Sequence, residues 1–284
     1  MNAPELSWPA PAKLNLMLHV TGRRPDGYHE LQTVFQFVDF SDALSFDCTD
    51  DGTIGLIESL PGVRDEAHLC VRAARALQQA GAAGRGARIA LNKRLPVGGG
   101  LGGGSSDAAT TLVALNLLWG LDLPVSELAR IGLGLGADVP VFVHGHAAWA
   151  EGVGERLEPV DLPEPVYLVV CPAVAVSTAS VFARPELTRD SPPITIRAFR
   201  EGQGHNDLEP VVRKLYPDVD RTLQWLGQFG KARMSGSGAC AFIEVADRDR
   251  GQEILAGAPQ GCTGFVARAL NRSPLLDRLA RQTG

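Results

Sequence analysis

A glycine-rich stretch at residues 96–107 constrains this chain more than any other feature. It reads PVGGGLGGGSSD and runs directly into 108–119, where apolar residues recur at helical spacing. Glycine lets the backbone approach a ligand closely, and the free N–H groups at a helix start favour an anion. The stretch therefore predicts a phosphate-binding loop leading into a helix, with Ser105, Ser106 and Asp107 as candidate N-caps.

The stretch fits three other kinds of glycine-rich segment less well: a dinucleotide-binding loop, a Walker A loop and a flexible linker. Gly98, Gly100 and Gly103 match the dinucleotide-binding fingerprint, but a Lys-Arg-Leu-Pro sequence stands where that fold needs a buried strand. A Walker A loop needs Gly-Lys-Ser/Thr, which does not follow. A flexible linker would not lead into an amphipathic helix. Phosphate binding explains both the loop and the helix.

The composition is that of a globular protein with room for two domains. The 284 residues are 45% hydrophobic and 21% charged. The net charge of -5 argues against non-specific binding to nucleic acid, and no apolar run approaches membrane-spanning length. The N-terminus has no signal-peptide pattern. We therefore expect a cytoplasmic protein without nucleic-acid or membrane partners. Separately, we expect either a monomer or a homodimer.

The cysteines predict neither a disulfide framework nor a zinc site. They are odd in number and scattered, and no two form a Cys-x-x-Cys pair. Because most stand among apolar residues, we expect buried thiols and a reducing compartment. His144 and His146 lack the further nearby ligands that a metal site needs. The five cysteines are Cys48, Cys70, Cys171, Cys240 and Cys262.

Two polar side chains share one face of a predicted N-terminal strand. Apolar residues alternate along 12–20, which is typical of a half-buried strand. The period of two places Lys13 and Asn15 together on the other face. That face is either solvated or functional.

Three further local patterns each allow a structural and a functional interpretation. Tyr28 and His29 leave an Arg-Pro-Asp-Gly turn, so they either close a hairpin or stack on a base. Asp138 lies between a glycine and an apolar run, where it either caps a short helix or acts as a partly desolvated base. The glycine loop at 234–240 is either an ordinary turn before the strand at 241–245 or part of a site.

The order of predicted elements indicates an α+β protein with two domains. Strands and helices alternate around short connections, with helices near 67–80, 126–135, 206–226 and 248–256. Three prolines in 159–165 mark the predicted boundary. We therefore expect domains at 1–160 and 161–284.

Four separated motifs together resemble those of the GHMP kinases, a superfamily of small-molecule kinases. They are PAKLN at 11–15, the glycine-rich loop at 96–106, GADVP at 136–140 and SGSG at 235–238. The resemblance covers nearly the whole chain and is weaker at 48–62 and 184–204. It implies an N-terminal domain like domain 2 of ribosomal protein S5, a ferredoxin-like C-terminal domain and an active site in the cleft between them.

The same resemblance implies an ATP-dependent kinase that uses Mg²⁺. Asp138 would accept the proton of the acceptor hydroxyl, while Lys13 would stabilise the charge of Asp138 and of the transferred phosphoryl group. Ser106 would be a magnesium ligand. The implied ATP-binding residues are Leu69, Lys93, Pro96, Val97, Gly98, Gly99, Gly100, Leu101, Gly102, Gly103, Gly104, Ser105 and Ser106.

Three stretches together narrow the resemblance to family members whose acceptor carries a cytidine group: residues 11–16, 24–29 and 95–106. Tyr28 and Phe182 would enclose the cytosine, and His29 would bond its edge. The remaining implied substrate contacts are Asn15 near the reacting hydroxyl, Val153 and Thr178 along the channel, and Gly236 and Ser237 from the second domain. An ATP-using decarboxylase relative and a non-catalytic ATP-binding regulator are the alternatives. The aromatic turn disfavours the first, and the retained Lys13 and Asp138 disfavour the second.

Overall fold

Two long antiparallel strands open the chain and form the frame on which the site is built. The computed structural model describes residues 7–58 and 64–283. The expectation that no signal peptide is present rests on residues 1–6, which lie outside that part. The strands are β1 (Trp8–Arg23), β2 (His29–Thr49), β3 (Ile54–Leu56), β4 (Gly86–Asn92), β5 (Ala148–Gly152), β6 (Arg156–Pro159), β7 (Val166–Pro172), β8 (Arg233–Met234), β9 (Ala241–Val245) and β10 (Cys262–Leu270).

The helices cover both halves of the sheet structure. A short 3₁₀ helix at Asp65–Ala67 precedes the first of them. Within the described ranges, no helix has the length and apolar character that crossing a membrane requires. The α-helices are α1 (Leu69–Gly81), α2 (Gly103–Leu118), α3 (Val125–Leu133), α4 (Val139–His144), α5 (Thr178–Phe182), α6 (Ile196–Arg200), α7 (Glu209–Leu215), α8 (Pro217–Leu226), α9 (Arg248–Ala256) and α10 (Pro274–Thr283).

Strand β2 organises the N-terminal half because it pairs with four other strands along its length. It is antiparallel to β1, β4, β5 and β10, while β3 joins β4 in parallel. In the C-terminal half the strand order is β10-β7-β9-β8, and all pairs are antiparallel. The mixture of antiparallel sheet and packed helices confirms the α+β prediction.

The two halves are joined by strand pairing and by apolar packing, and not only by the linker between them. Ala269 and Leu270 of β10 pair with Val38 and Phe37 of β2, while the rest of β10 pairs with β7. Buried Leu275 of α10 belongs to the same apolar cluster as Phe37. The end of the chain thus completes the core of the first half. The boundary near residue 160 stays a prediction.

The prediction that β1 is half-buried is wrong, since both of its faces are covered. Lys13 and Asn15 are buried as fully as the apolar residues between which they stand. Segments from the second half pack against the strand: the N–H of Leu18 donates to the carbonyl of His205, and that of Ser191 to the carbonyl of Val20. Two charged or amide side chains in such a position need specific partners.

The cysteine expectation is only partly confirmed. Cys171 and Cys240 form a disulfide, contrary to the prediction of free thiols. They are 69 residues apart in sequence and are brought together by the pairing of β7 with β9, which sequence spacing does not reveal. Cys70 is a buried thiol as expected, and burial raises its pKa far above the ordinary value. Cys48, by contrast, is exposed and Cys262 half-buried.

Candidate active site

Two adjoining cavities meet at the glycine-rich loop. The larger, of about 660 Å³, lies between β1, the turn after it, the start of α4 and the second glycine loop. The smaller, of about 520 Å³, lies between the first glycine loop and the start of α1. Gly98, Gly100 and Gly102 line both. A ligand in one cavity would therefore meet a ligand in the other at this loop.

The first glycine loop has the backbone conformation that only glycine adopts easily. Gly98, Gly100 and Gly102 have φ angles of 71°, 76° and 72°. Helix α2 begins at Gly103, with Gly102 as its N-cap and no capping side chain. The prediction that Ser105, Ser106 or Asp107 caps the helix is wrong, because all three already lie inside it. The loop therefore leaves the first N–H groups of α2 free for an anion.

The second glycine loop interlocks with the first. The Ser235 hydroxyl donates to the carbonyl of Gly100 at 2.9 Å and accepts the N–H of Asn15 at 3.1 Å. The N–H of Cys240 donates to the carbonyl of Gly99 at 3.0 Å. A Cβ at Gly100 would lie 2.1 Å from the Ser235 carbonyl oxygen. This loop is thus more than a hairpin turn. Ser235 belongs to the SGSG motif, but only Gly236 and Ser237 of that motif were predicted as site residues.

Lys13 and Asp138 form an ion pair at the junction of the cavities. Lys13 Nζ is 3.1 Å from Asp138 Oδ2, and it donates to Asn15 Oδ1 at 2.5 Å and to the Gly100 carbonyl at 3.3 Å. The lysine also lies over the ring of Phe35, with 5.1 Å from Nζ to the ring centroid. Asp138 precedes α4 without a capping hydrogen bond. Its carboxylate therefore does not cap the helix and instead lines the larger cavity.

Asn15 is held with its amide oxygen towards Lys13. Its Nδ2 donates to the Thr33 hydroxyl at 2.8 Å, and that hydroxyl donates to the carbonyl of Met17 at 2.5 Å. The chain of donors fixes which end of the amide faces the lysine. Thr33 completes this arrangement from β2 and was not predicted.

Lys93 lies between two buried carboxylates behind the smaller cavity. Its Nζ is 2.6 Å from Asp42 Oδ2 and 2.7 Å from Asp107 Oδ2. Burial raises the pKa of Asp107 to about 7; Lys93 opposes this shift and Asp42 adds to it. Burial acts to lower the pKa of Lys93, but the two carboxylates outweigh it and the pKa is raised. Asp42 also accepts the N–H groups of Arg94 and Leu95, so the cluster fixes the segment entering the loop.

His68 and Leu69 line the same smaller cavity at the start of α1. His68 is the N-cap, and its Nδ1 accepts the N–H of Cys70 at 3.2 Å. Burial and the nearby Lys93 lower the pKa of His68, against a smaller opposing effect of Asp65. A neutral imidazole is therefore favoured at this position.

The aromatic residues predicted to hold a base lie at the far end of the larger cavity. The rings of His29 and Phe182 are stacked, with 4.8 Å between centroids and 30° between planes. Tyr28 is 64% exposed at the rim. The hydroxyls of Thr178 and Ser237 are 2.6 Å apart, which joins α5 to the second glycine loop. The cavity lining includes all five residues.

All but one of the predicted site residues line one of the two cavities. Asn15, Val153, Gly236 and the other predicted substrate residues line the larger, and the loop residues through Ser105 line the smaller. Ser106 is fully buried beneath the loop, and its hydroxyl has no hydrogen-bond partner in the described part of the chain. No cluster of three or more His, Cys, Asp or Glu in that part could hold a metal.

Family models match both halves of the chain. The model described as the GHMP kinases N terminal domain matches residues 68–146, and that described as GHMP kinases C terminal matches residues 187–263. A 4-diphosphocytidyl-2-C-methyl-D-erythritol kinase of Thiobacillus denitrificans is 56% identical over 95% of this chain and 98% of its own length. The enzyme of the same name from Nitrosococcus oceani is 56% identical over 97% of this chain and 99% of its own.

The comparison with solved structures points to the same family as the comparison of sequences. A crystal structure of 4-(cytidine 5'-diphospho)-2C-methyl-D-erythritol kinase superposes with a TM-score of 0.80 at 34% identity, covering 93% of this chain and 98% of that one. A mevalonate kinase shares the fold, with a TM-score of 0.66 at 18% identity over 94% of this chain and 100% of its own. The predicted two-domain fold is confirmed, and the chain belongs to the GHMP kinases and, within them, to the 4-diphosphocytidyl-2-C-methyl-D-erythritol kinases.

Proposed function

We propose that Lys13 and Asp138 catalyse transfer of the γ-phosphoryl group of ATP to the 2-hydroxyl of 4-diphosphocytidyl-2-C-methyl-D-erythritol. The overall activity is assigned from membership of this kinase family. The reaction belongs to the non-mevalonate route to isoprenoid precursors. The observation that carries the assignment of residues is the Lys13–Asp138 ion pair at the meeting point of the two cavities.

The acceptor would occupy the larger cavity and ATP the smaller. Asp138 accepts the proton of the acceptor hydroxyl while that oxygen attacks the γ-phosphorus and the bond to the ADP oxygen breaks. Lys13, already bound to Asp138, offers its positive charge to the phosphoryl oxygens. Asn15 holds Lys13 in place and lies beside the reacting hydroxyl. Positioning and charge supply most of the catalysis that phosphoryl transfer needs.

The first glycine loop would bind the phosphates through backbone N–H groups. The start of α2 has no capping side chain, and Gly102, Gly103 and Gly104 at that start line the smaller cavity. Leu69 and Lys93 lie where the adenosine would extend along that cavity. Gly236 and Ser237 close the junction from the second half of the chain.

Magnesium would be bound mainly by the phosphates of ATP, with the hydroxyl of Ser106 as its protein ligand. Mg²⁺ prefers hard oxygen ligands and is often held by one or two protein groups plus substrate phosphates. The buried Ser106 hydroxyl has no partner in the described residues, which suits an oxygen reserved for a ligand. When bound, the ion supplies charge neutralisation at the phosphates.

Tyr28, His29 and Phe182 would bind the cytosine, with Val153 and Thr178 along the channel to the reacting hydroxyl. The stacked His29 and Phe182 rings provide an aromatic wall, and the exposed Tyr28 ring at the rim is free to cover the base. We also propose that the enzyme works in the cytoplasm as a monomer or homodimer; light scattering of the purified protein measures the second point.

The test is transfer of label from γ-labelled ATP, with magnesium, to the cytidyl acceptor. Mevalonate and homoserine serve as competing acceptors in the same assay. Transfer to the cytidyl compound alone supports the proposal. Transfer to another acceptor would keep the phosphate loop but overturn the cytosine pocket. ATP binding without any transfer would favour a non-catalytic regulator.

A further inference from the structure

The back of the predicted cytosine pocket contains an arginine that the mechanism above does not use. Arg189 lies in the irregular segment between α5 and α6, where the sequence offered no motif. Its Nε lies 3.2 Å from Nε2 of His29. The half-buried arginine therefore touches a pocket residue from behind.

Arg189 is itself fixed by the backbone around it. Its terminal nitrogens donate to the carbonyls of Leu187 at 2.9 Å, Phe182 at 2.9 Å and Arg184 at 2.7 Å. The planar guanidinium spans these oxygens with a rigid set of donors. The Nε–H directed at His29 is therefore held in place, and the same side chain supports the segment carrying Phe182.

The contact determines which nitrogen of His29 carries a proton. A guanidinium has only donors, so Nε2 of His29 must be the acceptor. An accepting Nε2 is unprotonated, and the single proton of the neutral ring must then be on Nδ1. Burial lowers the pKa of His29, and the positive charges of Arg189 and Arg23 lower it further, so the neutral ring is favoured near pH 7.

We propose that Arg189 is a specificity-determining residue, which sets His29 as an Nδ1–H donor and thereby selects a base with an acceptor at position 3. Cytosine has an unprotonated N3, whereas uracil carries N3–H. A donor held at that place bonds cytosine and opposes uracil, because two donors would be left unpaired. This inference rests on the proposed function, since it takes the base-binding role of His29 from it.

A merely structural role for Arg189 predicts a different outcome. If the arginine only supported the Phe182 segment, its loss would weaken cytidyl and uridyl ligands alike. If it sets the proton on His29, its loss would weaken the cytidyl ligand and relax the exclusion of the uridyl ligand. The ratio of the two affinities therefore distinguishes the roles.

The experiment has two arms. The first uses ¹⁵N NMR of the imidazole nitrogens in the ligand-free wild-type enzyme and in Arg189→Ala, with His29 assigned by its loss in His29→Gln. The second measures binding of the cytidyl acceptor and its uridyl counterpart by calorimetry. Arg184→Ala is the matched control, because its side chain pairs with Glu186 at the surface of the same segment.

We expect the wild-type and Arg184→Ala enzymes to hold the Nδ1–H form and to prefer the cytidyl acceptor by at least about tenfold. In Arg189→Ala we expect the Nε2–H form to gain population and the preference to fall to within about threefold. Protonation of Nε2 in the ligand-free wild type, or an unchanged preference in Arg189→Ala, would overturn the proposal. If the wild type bound neither acceptor, the proposed function and the base selection would both fail. The NMR arm would still report whether Arg189 sets the proton.

Discussion

Lys13 Nζ lies 3.1 Å from Asp138 Oδ2, yet the two side chains differ in accessibility: 3% of Lys13 and 32% of Asp138 are exposed. The lysine is enclosed by β1, Phe35 and the first glycine loop, while the carboxylate opens onto the larger cavity. The ion pair therefore presents its negative end to an incoming hydroxyl. That asymmetry suits a proton acceptor supported by a fixed cation.

Replacing Asp138 by Asn should remove most turnover without unfolding the protein. The amide keeps the shape of the carboxylate but cannot accept the hydroxyl proton, and general-base groups contribute about 10²- to 10⁴-fold. We expect kcat to fall by about that factor and the affinity for ATP to change by less than about threefold. Steady-state kinetics and nucleotide titration measure both quantities.

The matched control is Asp247→Asn, since Asp247 also precedes a helix but caps α9 far from the cavities. It should keep full kcat. A normal kcat in Asp138→Asn would remove the proton-accepting role from Asp138.

Gly100→Ala should be far more damaging than Gly98→Ala, although both glycines have positive φ. An added Cβ at Gly100 would lie 2.1 Å from the Ser235 carbonyl, whereas at Gly98 the nearest atom is the Ala175 Cβ at 3.8 Å. Both variants bear the left-handed strain of about 1–2 kcal/mol, and only Gly100→Ala must also separate the two loops.

We expect Gly98→Ala to retain measurable ATP binding and Gly100→Ala to lose it. Calorimetric titration with ATP and the midpoint of thermal unfolding test this pair. Equal effects of the two substitutions would show that the contact between the loops does not matter for binding.

Asp107 should make the free energy of unfolding depend on pH. Its pKa is about 7 in the folded protein, raised chiefly by burial, against 3.8 in the unfolded chain. Because Asp107 binds its proton more tightly in the folded protein than in the unfolded chain, protonation of this group contributes to stability. The contribution is complete below pH 3.8 and is lost as the pH rises through about 7.

Relative to Asp107→Asn, which cannot titrate, the wild type should therefore lose stability between pH 5 and pH 8. Urea unfolding at several pH values gives the difference directly. A difference that stays constant across this range would contradict the raised pKa.

Ser106→Ala should separate a role in metal binding from a role in folding. The substitution removes a buried hydroxyl that has no partner in the described residues, so the free energy of unfolding should change by less than about 0.5 kcal/mol. We expect the magnesium concentration that gives half-maximal activity to rise by at least about threefold.

Thr111→Val, on the same helix, removes a hydroxyl that donates to the carbonyl of Asp107 at 2.8 Å. It should lower stability by about 1 kcal/mol and leave the magnesium dependence unchanged. If Ser106→Ala left the magnesium dependence unchanged as well, Ser106 would not be a ligand.

The sequence predicts those parts of the site that depend on local backbone rules. Glycines followed by an apolar helix predict the phosphate loop, and alternation along β1 predicts that Lys13 and Asn15 share a face. The class of each long element followed from the same periodicities. Helix α6 and the true start of α2 did not, because a five-residue helix has little periodicity and glycines are poor helix formers.

The residues that support the site could not be predicted, because their partners are remote in sequence. Ser235 bonds Gly100, Asp42 bonds Lys93, and Arg189 bonds His29, each across more than 50 residues. The SGSG motif marks the loop that contains Ser235, but nothing local to any of these residues indicates which residue it contacts. Such contacts become visible only when the sheet register is known.

The position of Leu275 in the N-terminal core has a consequence for synthesis on the ribosome. This residue belongs to the same apolar cluster as Phe37 and Trp8, and Leu270 pairs with Phe37 in the sheet. The first half of the chain cannot complete its core until residue 275 has been translated, and such long-range closure is slow. Folding of the catalytic half should therefore be post-translational. The test is protease digestion of ribosome-bound chains stalled at residue 200. If the first half of such a chain resisted the protease as it does in the complete protein, this expectation would be wrong.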